Sequence, residues 1–505
     1  METKRRKIIF VTPHYHCGVV EVAGTWPPLG FVYLGAQAKK AGWDVEVYDV
    51  MSLRHKKKQI MQHFKDNPFD IMATTAITPT YLDALELCEF AKEVYPECTT
   101  LMGGVHPTFS YKEIFETENI PLDYIIAGEG EIALFEFLKN FEDKKLRHKT
   151  PSLFFKEDGK IKLNPLLPLV EDLDTLEVDF SLLDWSIYKY HVIDNSRLGA
   201  ISTSRGCSFG CTFCSQQKFW NKTWRGRKPE AILAELEYLN KTYDINVFLF
   251  TDEYPTLEQD RWEKLLDLII ASPMEIYILI ETRVEDIVRD EHFMWKYRKA
   301  GIVHVYVGAE ATDQETLDKI NKEITVDESK RAIELIAEHD MLSETSFVLG
   351  FPEETLESIE KTFQLAKEFN PDFAHFLAIT PWPYSDFYQD VKDKIEIYDY
   401  RQYNLIEPII KPDNMTLRDI DLAIINCYRK FYMPKMAGFY SVKDEFKRTY
   451  LIKSMKLIMK SSFLIKKFAK LGINPVEMME KMFKKGKGKH PKEMPPGMPP
   501  HNHGE

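Results

Sequence analysis

Three cysteines fall on one short stretch of this 505-residue chain, Cys207, Cys211 and Cys214, spaced Cys-xxx-Cys-xx-Cys with Phe213 directly before the last. Thiolates are soft ligands, and three on one loop can hold an iron-sulfur cluster while leaving one iron without a protein ligand. An iron left open in this way can do chemistry. The competing chemistry is a structural zinc ion, which needs four ligands. No second pair stands nearby: His191 lies sixteen positions earlier, and Cys17, Cys88, Cys98 and Cys427 are scattered.

The cysteine stretch resembles the signature of the radical S-adenosylmethionine (SAM) enzymes. That resemblance implies a [4Fe-4S] cluster whose fourth iron is chelated by the amino and carboxylate groups of SAM. It also places Phe213 at the family's aromatic position, beside the adenine.

The elements that must position this loop are legible as alternating patterns. From residue 199, apolar runs at 199–203, 247–251, 276–281, 303–308, 344–349 and 373–379 alternate with helical patterns at 228–242, 259–271, 285–300, 327–340 and 355–369. Six such units predict an incomplete β/α barrel, whose chemistry belongs at the C-terminal ends of its strands. The cysteine loop follows the first strand. Polar groups end the others: Thr251-Asp252-Glu253, Glu281-Thr282-Arg283, Gly308-Ala309-Glu310 and Gly350-Phe351-Pro352-Glu353-Glu354. Any one alone reads as a helix cap or a surface charge, but they share one end of the barrel. The radical SAM resemblance implies that Asp252, Glu253, Arg283 and Glu310 contact SAM, and that Gly350 lets the backbone approach it.

The first 142 residues carry a second alternation, with runs at 7–11, 45–48, 69–74, 98–102 and 123–126. This predicts a five-stranded, parallel, doubly wound sheet that binds ligands beyond the carboxyl ends of its strands. The loops there are Pro13 to Gly18, Thr74 to Pro79, Gly103-Gly104-Val105-His106-Pro107 and Gly128-Glu129-Gly130-Glu131. Taken in order they resemble the cobalamin-binding domain that precedes many radical SAM enzymes. The resemblance implies cofactor contacts from His16, Gly18, Thr75, Thr78, Gly103, Gly104, Gly128 and Glu129. The family's Asp-x-His-xx-Gly motif is absent, and His14-Tyr-His16-Cys-Gly18 stands in its place. His16 is therefore a cobalt-ligand candidate, a substrate contact or a satisfied loop histidine, and the lower axial position stays open.

Between the two alternations, residues 151–198 read as a connector containing a hairpin with Asp158-Gly159 at its turn. Residues 380–412, with Thr380-Pro-Trp-Pro-Tyr384, read as an ordered loop over the barrel mouth, with Trp382 and Tyr384 as candidate substrate contacts. A helical region follows to about residue 484. Its stretch from Lys447 to Lys470 has a basic amphipathic pattern that fits a membrane surface, a partner or an ordinary solvated face. The tail from 485 is expected to be disordered. The expected fold is α/β, in five parts: a cobalamin-binding domain (1–145), a connector (146–198), a partial (β/α)6 radical SAM barrel (199–412), C-terminal helices (413–484) and the tail (485–505).

Bulk properties narrow the function class. Hydrophobic residues make up 44% and charged residues 29%, as in soluble globular chains. The net charge of -12 argues against a nucleic-acid binder. No apolar run of about 18 residues suggests a membrane span, and the basic start runs into a strand pattern instead of a signal-peptide core. Seven cysteines without a paired framework fit a cytoplasmic, reducing setting.

Longer stretches resemble the oxygen-independent magnesium-protoporphyrin IX monomethyl ester oxidative cyclases of bacteriochlorophyll synthesis. They include Ala23-Gly-Thr-Trp-Pro-Pro28, Thr75-Ala-Ile-Thr-Pro79, Arg205-Gly-Cys207, Cys214 through Trp220, Asp252-Glu-Tyr-Pro-Thr256, Thr282-Arg-Val284, Thr380-Pro-Trp-Pro383 and Lys411-Pro-Asp413. The resemblance runs from residue 7 to about 435. It implies that SAM cleavage yields a radical that takes hydrogen from the porphyrin propionate ester. Later oxidation and hydration by water then close a fifth ring. A flavodoxin- or ferredoxin-type donor would supply electrons. The alternatives are a cobalamin-dependent methyltransferase acting on an unactivated carbon of a lipid or tetrapyrrole, and a non-enzymatic cobalamin or cluster sensor.

Overall fold

The computed structural model describes residues 6–15 and 23–460, with five further positions between 465 and 474. His16 and Gly18, the C-terminal part of the basic helical stretch and the 485–505 tail lie outside the described residues.

Five parallel strands open the fold: β1 (Lys7–Val11), β2 (Asp44–Tyr48), β3 (Ile71–Thr75), β4 (Thr99–Gly103) and β5 (Tyr124–Ile126), in spatial order β2-β1-β3-β4-β5. Successive side chains on a strand face opposite ways, and here both faces are covered. Ile9, Val11, Met72, Met102 and Ile125 enter one core, while Ile8, Phe10, Ile71, Ala73, Leu101 and Ile126 enter the other. Strand order reverses between β1 and β3, the place where such sheets bind ligands.

The connector hairpin joins this sheet. β6 (Leu153–Glu157) pairs antiparallel with β5, and β7 (Lys160–Leu163) pairs antiparallel with β6, so the sheet has seven strands. Asp158 and Gly159 form the two-residue turn with φ of 50° and 73°, the positive pair that a right-twisted hairpin requires.

The second sheet contains β8 (Leu198–Ile201), β11 (Val247–Phe250), β12 (Tyr277–Thr282), β13 (Ile302–Glu310), β14 (Leu342–Leu349) and β15 (Phe373–Ala378). All are parallel and lie in chain order, as an open barrel requires. β9 (Ser204–Arg205) and β10 (Arg225–Gly226) form a separate two-residue ladder. The sequence predicts one helix over 285–300, but three short segments occupy it: Val284–Arg289, Glu291–Phe293 and Met294–Lys299. Asp290 interrupts it because its fully buried carboxylate accepts from Arg289, Gln259 and Tyr297.

Two C-terminal helices, Leu417–Gly438 and Glu445–Ile458, pack onto the barrel. Leu451 and Met455 of the second are buried in the barrel core, and Lys447 donates to the Met341 carbonyl and pairs with Asp372. In this described part, the apolar side chains of Leu451 and Met455 cover protein. Among the described residues no helix is long and apolar enough to cross a membrane.

Candidate active site

The cysteine loop is closed at its base. Because β9 pairs with β10, residues 206–224 leave and re-enter the barrel at one point. Gly206 begins the loop at φ 91°, and a Cβ there would stand 2.1 Å from the Thr223 carbonyl oxygen. Only glycine fits. Gly206→Ala is expected to cost about 1–3 kcal/mol in backbone strain alone and to lower the iron and sulfide retained after reconstitution. Iron content equal to wild type would refute this reading of the loop.

Further bonds fix the loop against the barrel top. The Thr212 amide donates to the Ile320 carbonyl, the Phe387 amide to the Thr212 carbonyl, and Asn321 to the Gly210 carbonyl. Burial pushes the Cys214 thiol up to about 11 and also raises that of Cys207; the neighbouring Cys211 raises both further, and Cys207 adds to the rise at Cys214. Metal ligation needs thiolates, and cations stand ready to support them. The Arg283 guanidinium lies 4.0 Å from the Cys211 sulfur and 3.5 Å above the Phe209 ring. Arg283 also donates to the Lys322 carbonyl, and the Lys322 ammonium donates to Glu310 at 2.9 Å. Among the described residues no three donors converge tightly on a single ion. The three thiols, close enough to influence one another and faced by cations, fit a polynuclear cluster better than one zinc ion.

The SAM candidates divide according to what their side chains already hold. Glu253 accepts from the Gly206 amide and the Trp220 indole, so it sits beside the cluster loop. Glu310, at φ 60° where the β13–β14 register shifts, faces the barrel interior and accepts from Lys322 and Ser346. Gly350 has φ 90°, and its amide donates to Glu354. Phe213 packs with Trp382 against the apolar cluster around Phe351 and Ile379. Asp252 is different. Its buried carboxylate accepts from the Thr203 amide, the Thr203 hydroxyl and the Ser204 hydroxyl, so it braces the strand-end turn and is not free to meet a cofactor.

A cavity of about 390 Å³ lies between the first domain and the strand-end loops of the barrel. Thr75, Gly103, Gly104, Gly128 and Glu129 line it from the first domain, and Ser202, Ser204, Arg205, Trp220, Thr251 and Glu253 from the barrel. Gly104 has φ 101°, and a Cβ there would meet the Ala76 carbonyl at 2.5 Å, so the loops after β3 and β4 meet only because it is glycine. This glycine-lined floor fits an extended cofactor tail. Glu129 lines the cavity but is committed elsewhere: it accepts from Arg205 and Arg225, each at 2.9 Å, and from the Val170 amide. Burial pushes its carboxyl up, yet these donors outweigh burial and hold it below the usual range.

Thr78, fully buried, is not among the lining residues. It bonds to His106 and donates to the Tyr384 hydroxyl at 3.2 Å. Tyr384 also stacks on Phe109, with ring centroids 5.3 Å apart. It therefore clamps the 380–412 segment to the first domain and is not an open pocket wall, while Trp382 remains partly buried beside Phe213. Sequence reasoning missed Arg205, Trp220 and Lys322. Arg205 carried a visible signal, since an arginine directly before the glycine and cysteine of the cluster loop has no reason to be buried unless it is paired.

Residues 201–366 match the radical SAM superfamily and residues 15–138 the B12 binding domain. The chain is 36% identical to the anaerobic magnesium-protoporphyrin IX monomethyl ester cyclase of Rubrivivax gelatinosus, over 92% of this chain and 84% of that one. It is 30% identical to an uncharacterized methyltransferase of Pyrococcus horikoshii, over 88% of this chain and 95% of that one. The cobalamin- and [4Fe-4S]-bound radical SAM methyltransferase TsrM from Kitasatospora setae shares the fold with a TM-score of 0.68, at 15% identity, across 96% of this chain and all of that one. Cluster, SAM and cobalamin are accordingly this enzyme's cofactors, and the chain belongs to the cobalamin-binding radical SAM enzymes, in the family of the anaerobic magnesium-protoporphyrin IX monomethyl ester cyclases.

Proposed function

We propose that the chain is an oxygen-independent oxidative cyclase that forms the isocyclic ring of a magnesium porphyrin, with the new oxygen taken from water. The observation that carries this reading is similarity to a protein named as that cyclase across both domains, 36% identity over 92% of the chain. When bound, the cluster and SAM supply a hydrogen-abstracting radical, and cobalamin supplies a further one-electron or methyl-carrying centre.

The chain's own residues supply position. Cys207, Cys211 and Cys214 hold the cluster under Arg283, and Phe213, Glu253, Arg283, Glu310 and Gly350 surround SAM. Thr75, Gly103, Gly104 and Gly128 form the floor for the cobalamin tail. Trp382 offers a flat apolar face at the barrel mouth. The proposed division of the chain runs 1–145, 146–198, 199–412, 413–484 and 485–505, with the hairpin of the second segment docked on the first. A flavodoxin- or ferredoxin-type protein delivers the electrons.

The test is anaerobic turnover of reconstituted protein with SAM, reductant and magnesium-protoporphyrin monomethyl ester in ¹⁸O-water, read by mass spectrometry. The expected products are 5′-deoxyadenosine and a ring-closed porphyrin carrying ¹⁸O. SAM cleavage with unchanged porphyrin would sink the substrate assignment. A porphyrin carrying the SAM methyl group would favour methyl transfer, the activity named for the Pyrococcus relative.

A further inference from the structure

The inner face of the barrel carries a row of polar side chains that neither the cluster nor the SAM candidates account for. In register, Glu281 of β12 stands beside Tyr306 of β13, and Tyr306 stands beside Glu344 of β14. Adjacent strands lie about 4.8 Å apart, so the three side chains form one band across the lumen, on the same face as Glu310 and below the cluster loop.

Nearly every member is committed. Glu344 lies between His304, at 2.7 Å, and His375. His304 bonds to the Tyr450 hydroxyl at 2.7 Å, and Tyr450 bonds to Tyr190. Tyr306 shares a hydrogen bond with Ser346 at 2.6 Å, Ser346 donates to Glu310, and Lys322 holds Glu310. Burial pushes Glu344 up, but the two facing imidazoles outweigh it and hold its carboxyl far below the usual range. A carboxyl held that low stays ionised and is a poor proton acceptor near neutral pH.

Glu281 is the exception. It is the one exposed position of a strand otherwise buried or half-buried, and among the described residues its carboxylate has no hydrogen-bond or ion-pair partner. It is open to the lumen yet enclosed by protein, with Glu253, Glu344 and Tyr306 as its charged or titratable neighbours and Glu310 next along β13. None of these donates to it.

We propose that Glu281 is the base that accepts the proton from the water molecule added to the substrate. This rests on the cyclase reading above. Hydration begins once a hydrogen atom and one electron have left the substrate carbon. The hydrogen goes to the nucleoside fragment of SAM, and the electron to a one-electron acceptor of the cobalamin or iron-sulfur class. A lone pair of the water oxygen then forms the C–O bond, one O–H bond breaks, and the proton passes to the Glu281 carboxylate. No electron changes hands in this step. Burial, with the charges of Glu344 and Glu253, pushes the Glu281 carboxyl up to about 7, close to where a general base works best.

The experiment compares full-length, reconstituted wild type with Glu281→Gln and Glu281→Asp, using substrate deuterated on the propionate chain. For Glu281→Gln we expect 5′-deoxyadenosine, carrying substrate deuterium, within about threefold of wild type, while ¹⁸O-labelled product falls at least about a hundredfold, within the usual range for loss of an acid–base group. Glu281→Asp should recover part of it. Wild-type product formation should rise as pH passes through about 7 and then level off.

A second readout needs no turnover. The folded chain holds a proton on Glu281 that the unfolded chain releases near the ordinary 4.5, so wild type loses stability relative to Glu281→Gln as pH climbs from there to about 7. Full ¹⁸O incorporation by Glu281→Gln, equal loss of 5′-deoxyadenosine and product, or melting curves parallel at every pH would each overturn the assignment. A wild type that cleaves SAM but never oxygenates the porphyrin would overturn the cyclase reading, and this one with it.

Discussion

Serine in place of Cys211 leaves a folded chain that no longer assembles its cluster. The barrel core is built by other residues, among them Phe248, Ile278, Val305 and Phe347, all fully buried, so far-ultraviolet circular dichroism should match wild type. A hydroxyl is a hard, weakly acidic donor at a soft iron. Iron and sulfide content should fall toward zero, and 5′-deoxyadenosine should not exceed the protein-free control. Arg283→Ala provides the contrast. It removes a cation 4.0 Å from the Cys211 sulfur and no ligand, so cluster retention or activity should fall about 10–100-fold, the usual cost of an outer partner. Serine and wild-type proteins with equal 5′-deoxyadenosine formation would disprove ligation by Cys211.

The second large effect is expected at Arg205, which joins the domains. Its guanidinium reaches Glu129 at 2.9 Å and Glu131 at 2.7 Å and lies 5.0 Å from the centre of the Tyr33 ring. All three partners belong to the first domain, while Arg205 belongs to the barrel. Removing one partner from such a buried set costs about 3–5 kcal/mol, because the carboxylates are left desolvated. Arg205→Ala should therefore separate the unfolding of the two domains into two denaturant transitions and expose the 127–131 loop to hydrogen exchange. Lysine should rescue only part, since an ammonium cannot fork to two carboxylates.

Acid should reproduce the effect. Glu129 is held below its ordinary 4.5, so its contribution is complete above that value and is lost as pH falls further below it. Arg205→Ala and wild type should converge there. A single transition, unchanged at neutral pH in Arg205→Ala, would show that the interface holds without the pairs.

Local pattern made much of this molecule legible. Both strand series, the Asp158-Gly159 turn and the cysteine loop follow from spacing and residue type within a few positions. What escaped depends on partners distant in sequence. Asp252 looked like a cofactor contact because it ends a barrel strand, but Thr203 and Ser204, about fifty positions earlier, take its carboxylate. Glu129 looked like part of a cofactor loop until Arg205 and Arg225 claimed it. Tyr384 turned from the mouth to Thr78, 306 positions away. Glu281 was visible as a strand-end acid, yet its value as a base comes from the lack of a partner, which no spacing encodes.

The hairpin β6–β7 has a further consequence. Without it, the parallel sheet would end at β5, three buried apolar residues whose outer backbone groups would be unpaired. Such an edge is a template for strand addition from another chain. The hairpin moves the boundary outward to β7, where Lys160, Lys162 and Leu163 are exposed. Lysines on an edge strand resist that addition, so a segment that reads as a mere link between domains guards this edge of the sheet against joining that of another copy.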